Sequence, residues 1–113
     1  MSSLFLKNAN VIDVSTGNIS LQNIRIESGI IQEIGKNRIK DNSAKSIDLK
    51  GDFVMPGLCD AHVHVTAFTA DFARLKNTSP FYVGIKALEI LRGMLSRGFT
   101  TVRDAGGADW GLA

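Results

Sequence analysis

The 113-residue sequence has very little cysteine and no long apolar run. Its one cysteine, Cys59, excludes an internal disulfide framework and is typical of a reducing compartment. No run of about 18 apolar residues occurs, so no membrane-spanning helix is predicted. Lys7 interrupts the N-terminus before an apolar stretch long enough for a signal peptide. These absences predict a cytoplasmic protein with no membrane partner.

The sequence also lacks an excess of either charge. It has 13 Lys and Arg residues against 11 Asp and Glu residues, and the two signs are interspersed, so no nucleic-acid partner is expected. The one basic stretch, from Lys36 to Lys50, is interpreted as a solvated loop. Length sets a further limit, because a complete (β/α)₈ barrel needs about 200 residues or more.

Residues 1–55 have the pattern of short β-strands separated by turns. A first strand region runs from Leu4 to Val14, and Ser28-Gly29 marks the turn of a hairpin. Residues 48–54 have the pattern of a further strand pair around a turn. We expect a small, mostly antiparallel sheet or sandwich in this half of the chain.

In residues 56–113 the spacing of apolar and polar residues changes. Residues 58–65 alternate between two faces as in a strand, Ser79-Pro80 predicts the start of a helix, and Gly98 predicts its end. The β-branched residues 99–103 predict a second strand. Strand, helix and strand at this spacing indicate a βαβ unit with parallel strands, so the predicted fold class is α/β.

The predicted helix is amphipathic. Its apolar residues recur at steps of three or four and should form the packed face: Phe81, Ile85, Leu88, Leu91, Met94 and Leu95. Near the end of the chain, Asp109 has the position of a cap for a further helix.

His62 and His64 are the only histidines. Two residues apart on a strand, their imidazoles project from one face, close enough to bind one zinc, iron or nickel ion. The alternative is that they are polar residues on an exposed strand face. The helix and strand that follow favour a metal site, because α/β enzymes bind ligands at the carboxyl ends of parallel strands.

The neighbouring polar residues allow two interpretations each. Asp60 has the same parity as the histidines and is interpreted as a group that orients an imidazole, or else as a third ligand. Cys59 points to the opposite face. Asp104 caps the glycine turn that follows it, or else orients a ligand. Arg103 is expected to form an ion pair in the core or an interface rather than to contact substrate.

The connection from Thr66 to Thr78 is long for a loop between a strand and a helix. Such loops often form lids or binding walls, and packing or disorder is the alternative. Its candidate contact residues are Phe68, Asp71, Phe72 and Arg74.

Two motifs resemble the amidohydrolase superfamily of metal-dependent hydrolases. Residues 54–64, VMPGLCDAHVH, resemble its first barrel strand. Residues 97–107, RGFTTVRDAGG, resemble the second barrel strand of the branch with imidazolonepropionase-like and Xaa-Pro or Xaa-Arg dipeptidase-like enzymes. Residues 108–113 also suit the dipeptidase-like group, and the superfamily usually begins with a β-sandwich part similar to residues 4–55.

The resemblance implies that residues 1–55 are a β-sandwich part and residues 56–113 are the start of an incomplete (β/α)₈ TIM-type barrel. It assigns His62 and His64 to the more buried metal of a site with one or two divalent ions, for which zinc is expected. The superfamily places a carboxylated lysine or glutamate on the fourth strand, histidines on the fifth and sixth, and an aspartate that shuttles protons on the eighth. The catalytic residues are therefore expected beyond Ala113.

The function implied is hydrolysis of C–N bonds in amides or peptides by a metal-activated water. The expected partners are a small-molecule amide or peptide substrate, the remainder of the barrel and, in the intact enzyme, further copies in a homo-oligomer. The isolated chain is expected to be incomplete and inactive. The alternative is a non-catalytic β-rich interaction or regulatory module with vestigial histidines.

Overall fold

A computed structural model describes residues 3–36 and 45–112. They fall into two compact units, Met1–Pro56 and Gly57–Ala113. The secondary structure is α/β with strands in the majority. No helix in the two described ranges combines the length and apolar character that a membrane span needs.

The first unit is one mixed five-stranded sheet rather than two packed sheets. The strands are β1 (Ser3–Ile12), β2 (Ile19–Glu27), β3 (Ile30–Gly35), β4 (Lys45–Asp48) and β5 (Phe53–Val54). The central strand, β1, pairs antiparallel with β2, which pairs antiparallel with β3. On its other side β1 pairs parallel with both β4 and β5. Of the predicted sheet or sandwich, the described residues form a single sheet. Its two longer pairings are antiparallel, as predicted, and its two short parallel pairings were not expected.

The predicted strand pair over residues 48–54 is wrong, because β4 and β5 lie one after the other along β1. The turn between them is itself bonded to β1. The Leu49 N–H donates to the Lys7 carbonyl over 2.9 Å, and the Gly51 N–H donates to the Asn8 carbonyl over 2.8 Å. These bonds keep the chain running beside β1 instead of letting it fold back on β4.

The basic stretch from Lys36 to Lys50 lies partly outside the described residues, which resume at Lys45. Within it, Lys45–Asp48 form strand β4 rather than a loop, but all four residues are exposed, and Lys50 lies in an exposed turn.

The second unit contains the predicted βαβ arrangement. Strands β6 and β7 pair in parallel, so that prediction is confirmed. The elements are β6 (Leu58–Val63), α1 (Phe72–Lys76), α2 (Pro80–Ser96), β7 (Phe99–Asp104) and a 3₁₀ turn (Trp110–Leu112). The Asp109 carboxylate accepts from the Gly111 N–H over 2.9 Å at that turn, so Asp109 caps a single turn.

Helix α2 begins and ends where the sequence predicts. Pro80 occupies its first position, although the Ser79 side chain makes no capping hydrogen bond. At the other end Gly98 has a φ of +92°, a conformation that glycine adopts without steric cost. Its N–H donates to the Leu95 carbonyl, and its own carbonyl accepts from the Leu58 N–H over 2.8 Å. Gly98 thus ends the helix and also bonds to the start of β6.

The packed face of α2 agrees only in part with the predicted one. Met94, one of the six predicted residues, is buried, and so is Ala87, which the predicted set does not include. Phe81 is 85% exposed, Ile85 59% and Leu95 63%. The helix is therefore apolar on two sides, and a rule that counts only steps of three and four cannot tell which side packs.

Candidate metal site

Strand β6 carries a β-bulge just before its carboxyl end. Asp60 lies opposite Val102, and Val63 lies opposite Asp104. Three steps along β6 therefore face two steps along β7, and the extra residue falls within Ala61–His62. A bulge of this kind bends a strand and changes where its side chains point.

Two side chains satisfy the main-chain groups that the bulge takes out of the ladder. The Asp60 carboxylate accepts from the His62 N–H over 3.1 Å. The Arg103 guanidinium donates to the Ala61 carbonyl over 3.2 Å. Unpaired backbone groups are costly, so these bonds stabilise the segment that carries the first histidine.

The roles expected of Asp60 and Arg103 change accordingly. Asp60 holds the main chain of His62 and not an imidazole. In the described part of the chain no three His, Cys, Asp or Glu residues are grouped to hold a metal, so Asp60 is not a third ligand there. Within the described residues Arg103 bonds to a neutral carbonyl, and its ion pair in a barrel core or an interface stays a prediction.

The structure brings His62 and His64 together. Their Nε2 atoms lie 3.3 Å apart. The ring centroids are 5.1 Å apart, and the rings are inclined by 77°. Both residues are exposed. The two nitrogens therefore converge at a point that solvent and ions can reach.

The separation of the two nitrogens fits a tetrahedral metal ion. Zinc binds imidazole nitrogen at about 2.0–2.1 Å, so two ligands at the tetrahedral angle lie about 3.3 Å apart. The observed Nε2 to Nε2 distance is 3.3 Å. Imidazole nitrogen is also a donor that zinc and similar divalent ions prefer. The chain thus offers two ligands with suitable chemistry and spacing.

A main-chain carbonyl selects the tautomer of His64. Its Nδ1 lies 3.0 Å from the Gly106 carbonyl oxygen. Because a carbonyl only accepts, Nδ1 must carry the proton, and in the neutral ring Nε2 keeps its lone pair. A hydrogen bond between the two Nε2 atoms then requires that His62 supplies the proton.

Asp104 connects the two segments that leave β6 and β7. One carboxylate oxygen accepts from the Val65 N–H over 2.8 Å. The other accepts from the Gly106 N–H over 2.8 Å and from the Ala108 N–H over 3.5 Å. The Val65 bond is the main cause that lowers the pKa of Asp104, with the Gly106 and Ala108 bonds contributing and burial opposing. The predicted turn cap is confirmed, and the bond to Val65 is an addition that sequence patterns did not indicate.

Gly107 permits a close approach between the same two segments. Its φ is +109°, and a Cβ atom built there would overlap the Thr66 hydroxyl. Thr66 is itself buried. The sequence pattern predicts a turn at Gly106-Gly107 but not this contact with Thr66.

The connection after β6 packs on the start of α2. The Phe68 ring meets the Tyr82 ring edge to face at 5.5 Å, and the Arg74 guanidinium lies 5.9 Å from the Phe68 centroid. Asp71 caps the short helix α1 by accepting from the Arg74 N–H over 3.0 Å. Phe72 is exposed. Phe68 and Arg74 thus have packing contacts and Asp71 caps α1, while the lid or binding wall stays a prediction.

Comparison with known proteins adds relatives from one superfamily. No family model matches the chain. It is 37% identical over 106 residues to a 5'-deoxyadenosine deaminase of Methanosarcina acetivorans, a match that covers 84% of this chain and 24% of the relative. It is 40% identical over 63 residues to a dihydroorotase of Trichlorobacter lovleyi, covering 56% of this chain and 15% of the relative.

Several solved structures match almost the whole chain. One is an amidohydrolase, at 39% identity and a TM-score of 0.93, covering 98% of this chain and 27% of that one. Another is a prolidase complexed with N-methylphosphonate-L-proline, at 39% identity and a TM-score of 0.93, covering 98% of this chain and 28% of that one. The chain therefore spans about a quarter of the length of these two proteins.

Proposed function

We propose, since the chain belongs to the amidohydrolase superfamily, that it is the N-terminal part of a metal-dependent enzyme that hydrolyses a C–N bond of a small amide or peptide. The named relatives are hydrolases that act on C–N bonds, and members of the superfamily are generally metal-dependent. The observation that carries the proposal is the convergence of the His62 and His64 Nε2 atoms at 3.3 Å.

His62 and His64 would hold a divalent ion, for which zinc is proposed because imidazole pairs at tetrahedral spacing suit it. Such an ion would activate the attacking water and polarise the substrate carbonyl. The chain's own contribution is orientation. His64 donates its Nδ1 proton to Gly106 and presents its Nε2 lone pair, while Asp60 fixes the main chain at His62.

The two histidines are fewer than a catalytic zinc site requires. Such a site normally has three protein ligands and one open position for water. The described residues offer no third ligand beside the pair. We infer that further ligands and the proton-transferring carboxylate come from a barrel segment outside this chain, so that the chain alone binds zinc weakly and is inactive.

For the substrate we propose a dipeptide, with a C-terminal proline as the first to test. The prolidase structure supports this choice, because its 39% identity extends over 98% of the chain. Dihydroorotate and a deoxyadenosine are the rival substrates that the named relatives suggest. A cytoplasmic location and a homo-oligomeric intact enzyme remain predictions.

Zinc titration of the 113-residue chain by calorimetry tests the site. We expect binding of one ion, abolished in His62→Ala and in His64→Ala. Cys59→Ser is the matched control, because the thiol is exposed on the same strand and is a zinc-binding group that the proposal does not use. Unchanged binding in both histidine variants, or its loss in Cys59→Ser, would contradict the proposal.

Hydrolysis assays test the activity. The chain alone should not cleave Xaa-Pro dipeptides, whereas the chain mixed with a polypeptide encoded past codon 113 should cleave them in the presence of zinc. If the mixture forms a complex that neither binds zinc nor cleaves any of the three substrates, the non-catalytic module is the correct interpretation.

A further inference from the structure

We propose that Asp104 is a positioning residue of the metal site: its carboxylate holds the Gly106 peptide so that the Gly106 carbonyl sets the tautomer of His64. This inference rests on the proposed function for its consequence in metal binding. Its structural content, the tautomer of one histidine, can be measured in the chain without metal.

The Asp104 carboxylate lies between two segments of the chain. Asp104 is the last residue of β7, and its two oxygens bond in different directions. One accepts from Val65, directly after His64, and the other accepts from Gly106. The carboxylate therefore sets the distance between the segment that carries His64 and the turn that follows β7.

Gly106 forms hydrogen bonds through both its N–H and its carbonyl. The Gly106 N–H donates to Asp104, and the Gly106 carbonyl accepts from His64. The Gly107 backbone lies against the Thr66 hydroxyl, which limits movement of the turn. Because the Gly106 N–H is held by a side chain with a second attachment at Val65, the turn that presents its carbonyl has little freedom to move from His64.

The bond to Gly106 fixes which nitrogen of His64 carries the proton. His64 bonded to a carbonyl through Nδ1 is committed to the tautomer with a free Nε2 lone pair. In the described residues the His62 ring bonds only His64. The pair is therefore asymmetric. His64 is preset to bind a metal through Nε2, whereas His62 carries its proton on Nε2 and must move it to Nδ1 before the same atom can bind.

Nitrogen-15 NMR of the full 113-residue chain measures both tautomers at about pH 8, where imidazole is neutral. We expect the Nδ1–H form at His64 and the Nε2–H form at His62. In Asp104→Asn one of the two oxygens becomes an amide that cannot accept, so His64 should shift toward a mixture of tautomers. Zinc affinity should fall by about tenfold, which is typical for loss of a group that orients a metal-bound histidine.

Asp109→Asn is the matched control. Asp109 forms the same kind of carboxylate bond to a main-chain N–H two residues later, within the same C-terminal segment. It should leave the His64 tautomer and zinc affinity unchanged. Gly107→Ala is the second test, because it displaces the turn while Asp104 stays in place, and it should shift the His64 tautomer as Asp104→Asn does.

A His64 tautomer that is unchanged in folded Asp104→Asn would overturn the proposal, and so would one unchanged in Gly107→Ala. If the wild-type chain shows the expected tautomers, but its complex with the remaining barrel segment neither binds zinc nor cleaves a substrate, the proposed function fails and the positioning role of Asp104 stands.

Discussion

The parallel strands β6 and β7 are held differently at their two ends. At the start, Gly57 lies against Thr100, and the Leu58 N–H bonds the Gly98 carbonyl. At the finish, a bulge and side-chain hydrogen bonds place His62 and its partner histidine at the surface. The start depends on a close approach between Gly57 and Thr100, which are both exposed, whereas the finish depends mainly on side-chain hydrogen bonds from Asp60, Arg103 and Asp104. Stability and metal binding should therefore respond to substitutions at opposite ends.

The largest expected effect on stability comes from Gly57→Ala. A Cβ atom there would overlap the Thr100 hydroxyl and lie 2.5 and 2.7 Å from Thr100 Cγ2 and Cβ. Overpacking of this kind costs about 1–3 kcal/mol, and Gly57 does not have a positive φ, so the cost is steric. Urea denaturation should show the loss. The double variant Gly57→Ala/Thr100→Gly should regain part of it relative to the sum of the single variants, and strict additivity would contradict the steric explanation.

Gly98→Ala should come second. A left-handed conformation costs a residue with a Cβ about 1–2 kcal/mol, and Gly98 has a φ of +92°. Gly84→Ala is the matched control, because Gly84 lies inside α2 with nothing within 4 Å of a built Cβ. That change should raise the free energy of unfolding by up to about 1 kcal/mol. Thermal unfolding of the two variants should shift in opposite directions, and equal shifts would contradict the backbone argument.

His62→Ala should change the free energy of unfolding much less than Gly57→Ala or Gly98→Ala does. The residue is exposed, and surface substitutions usually stay within about 0.5 kcal/mol. Zinc binding should nevertheless be lost, so this variant separates the two ends of the strands most clearly. A destabilisation by His62→Ala as large as that by Gly57→Ala, measured in urea, would show that the carboxyl end also stabilises the fold.

The smallest effect is expected at Asp13, which caps a turn that contains no histidine. Hydrogen bonds from the Ser15 and Thr16 hydroxyls, then from the Ser15 N–H, lower the pKa of Asp13 to about 2 from an ordinary value of 3.8. Ser15→Ala should raise the pKa toward the ordinary value, as measured by NMR titration of the Asp13 carboxyl. Because the folded pKa is the lower one, the stabilisation is present above about pH 4 and disappears as the pH falls through about 2. An unchanged pKa would mean that the Ser15 hydroxyl does not matter.

Sequence reasoning predicts the elements that depend on local signals. Pro80 and Gly98 mark the ends of α2, and the two-residue spacing of His62 and His64 places their rings together. It fails where the local structure depends on a contact with a distant segment of the chain. The β4 to β5 turn follows β1 because of main-chain bonds that no turn pattern shows.

The site shows the same limit. Counting alternate residues along 58–65 places Asp60 on the histidine face, but the bulge at Ala61–His62 breaks the alternation. The interpretation of Asp60 as a group that orients an imidazole fails for this reason. A bulge depends on the register of the neighbouring strand, which the sequence of one strand does not contain.

The bulge also limits how this segment can change in evolution. Its contacts at Ala61 are made by the main-chain carbonyl, so many side chains at that position preserve the bond from Arg103. Deletion of one residue here is a different kind of change. It would remove the extra residue while Val63 keeps its pairing with Asp104, and the bonds that Asp60 and Arg103 make to the bulge would be lost. Descendants of this sequence that keep the bulge should therefore accept substitutions at residue 61 but not a single-codon deletion there.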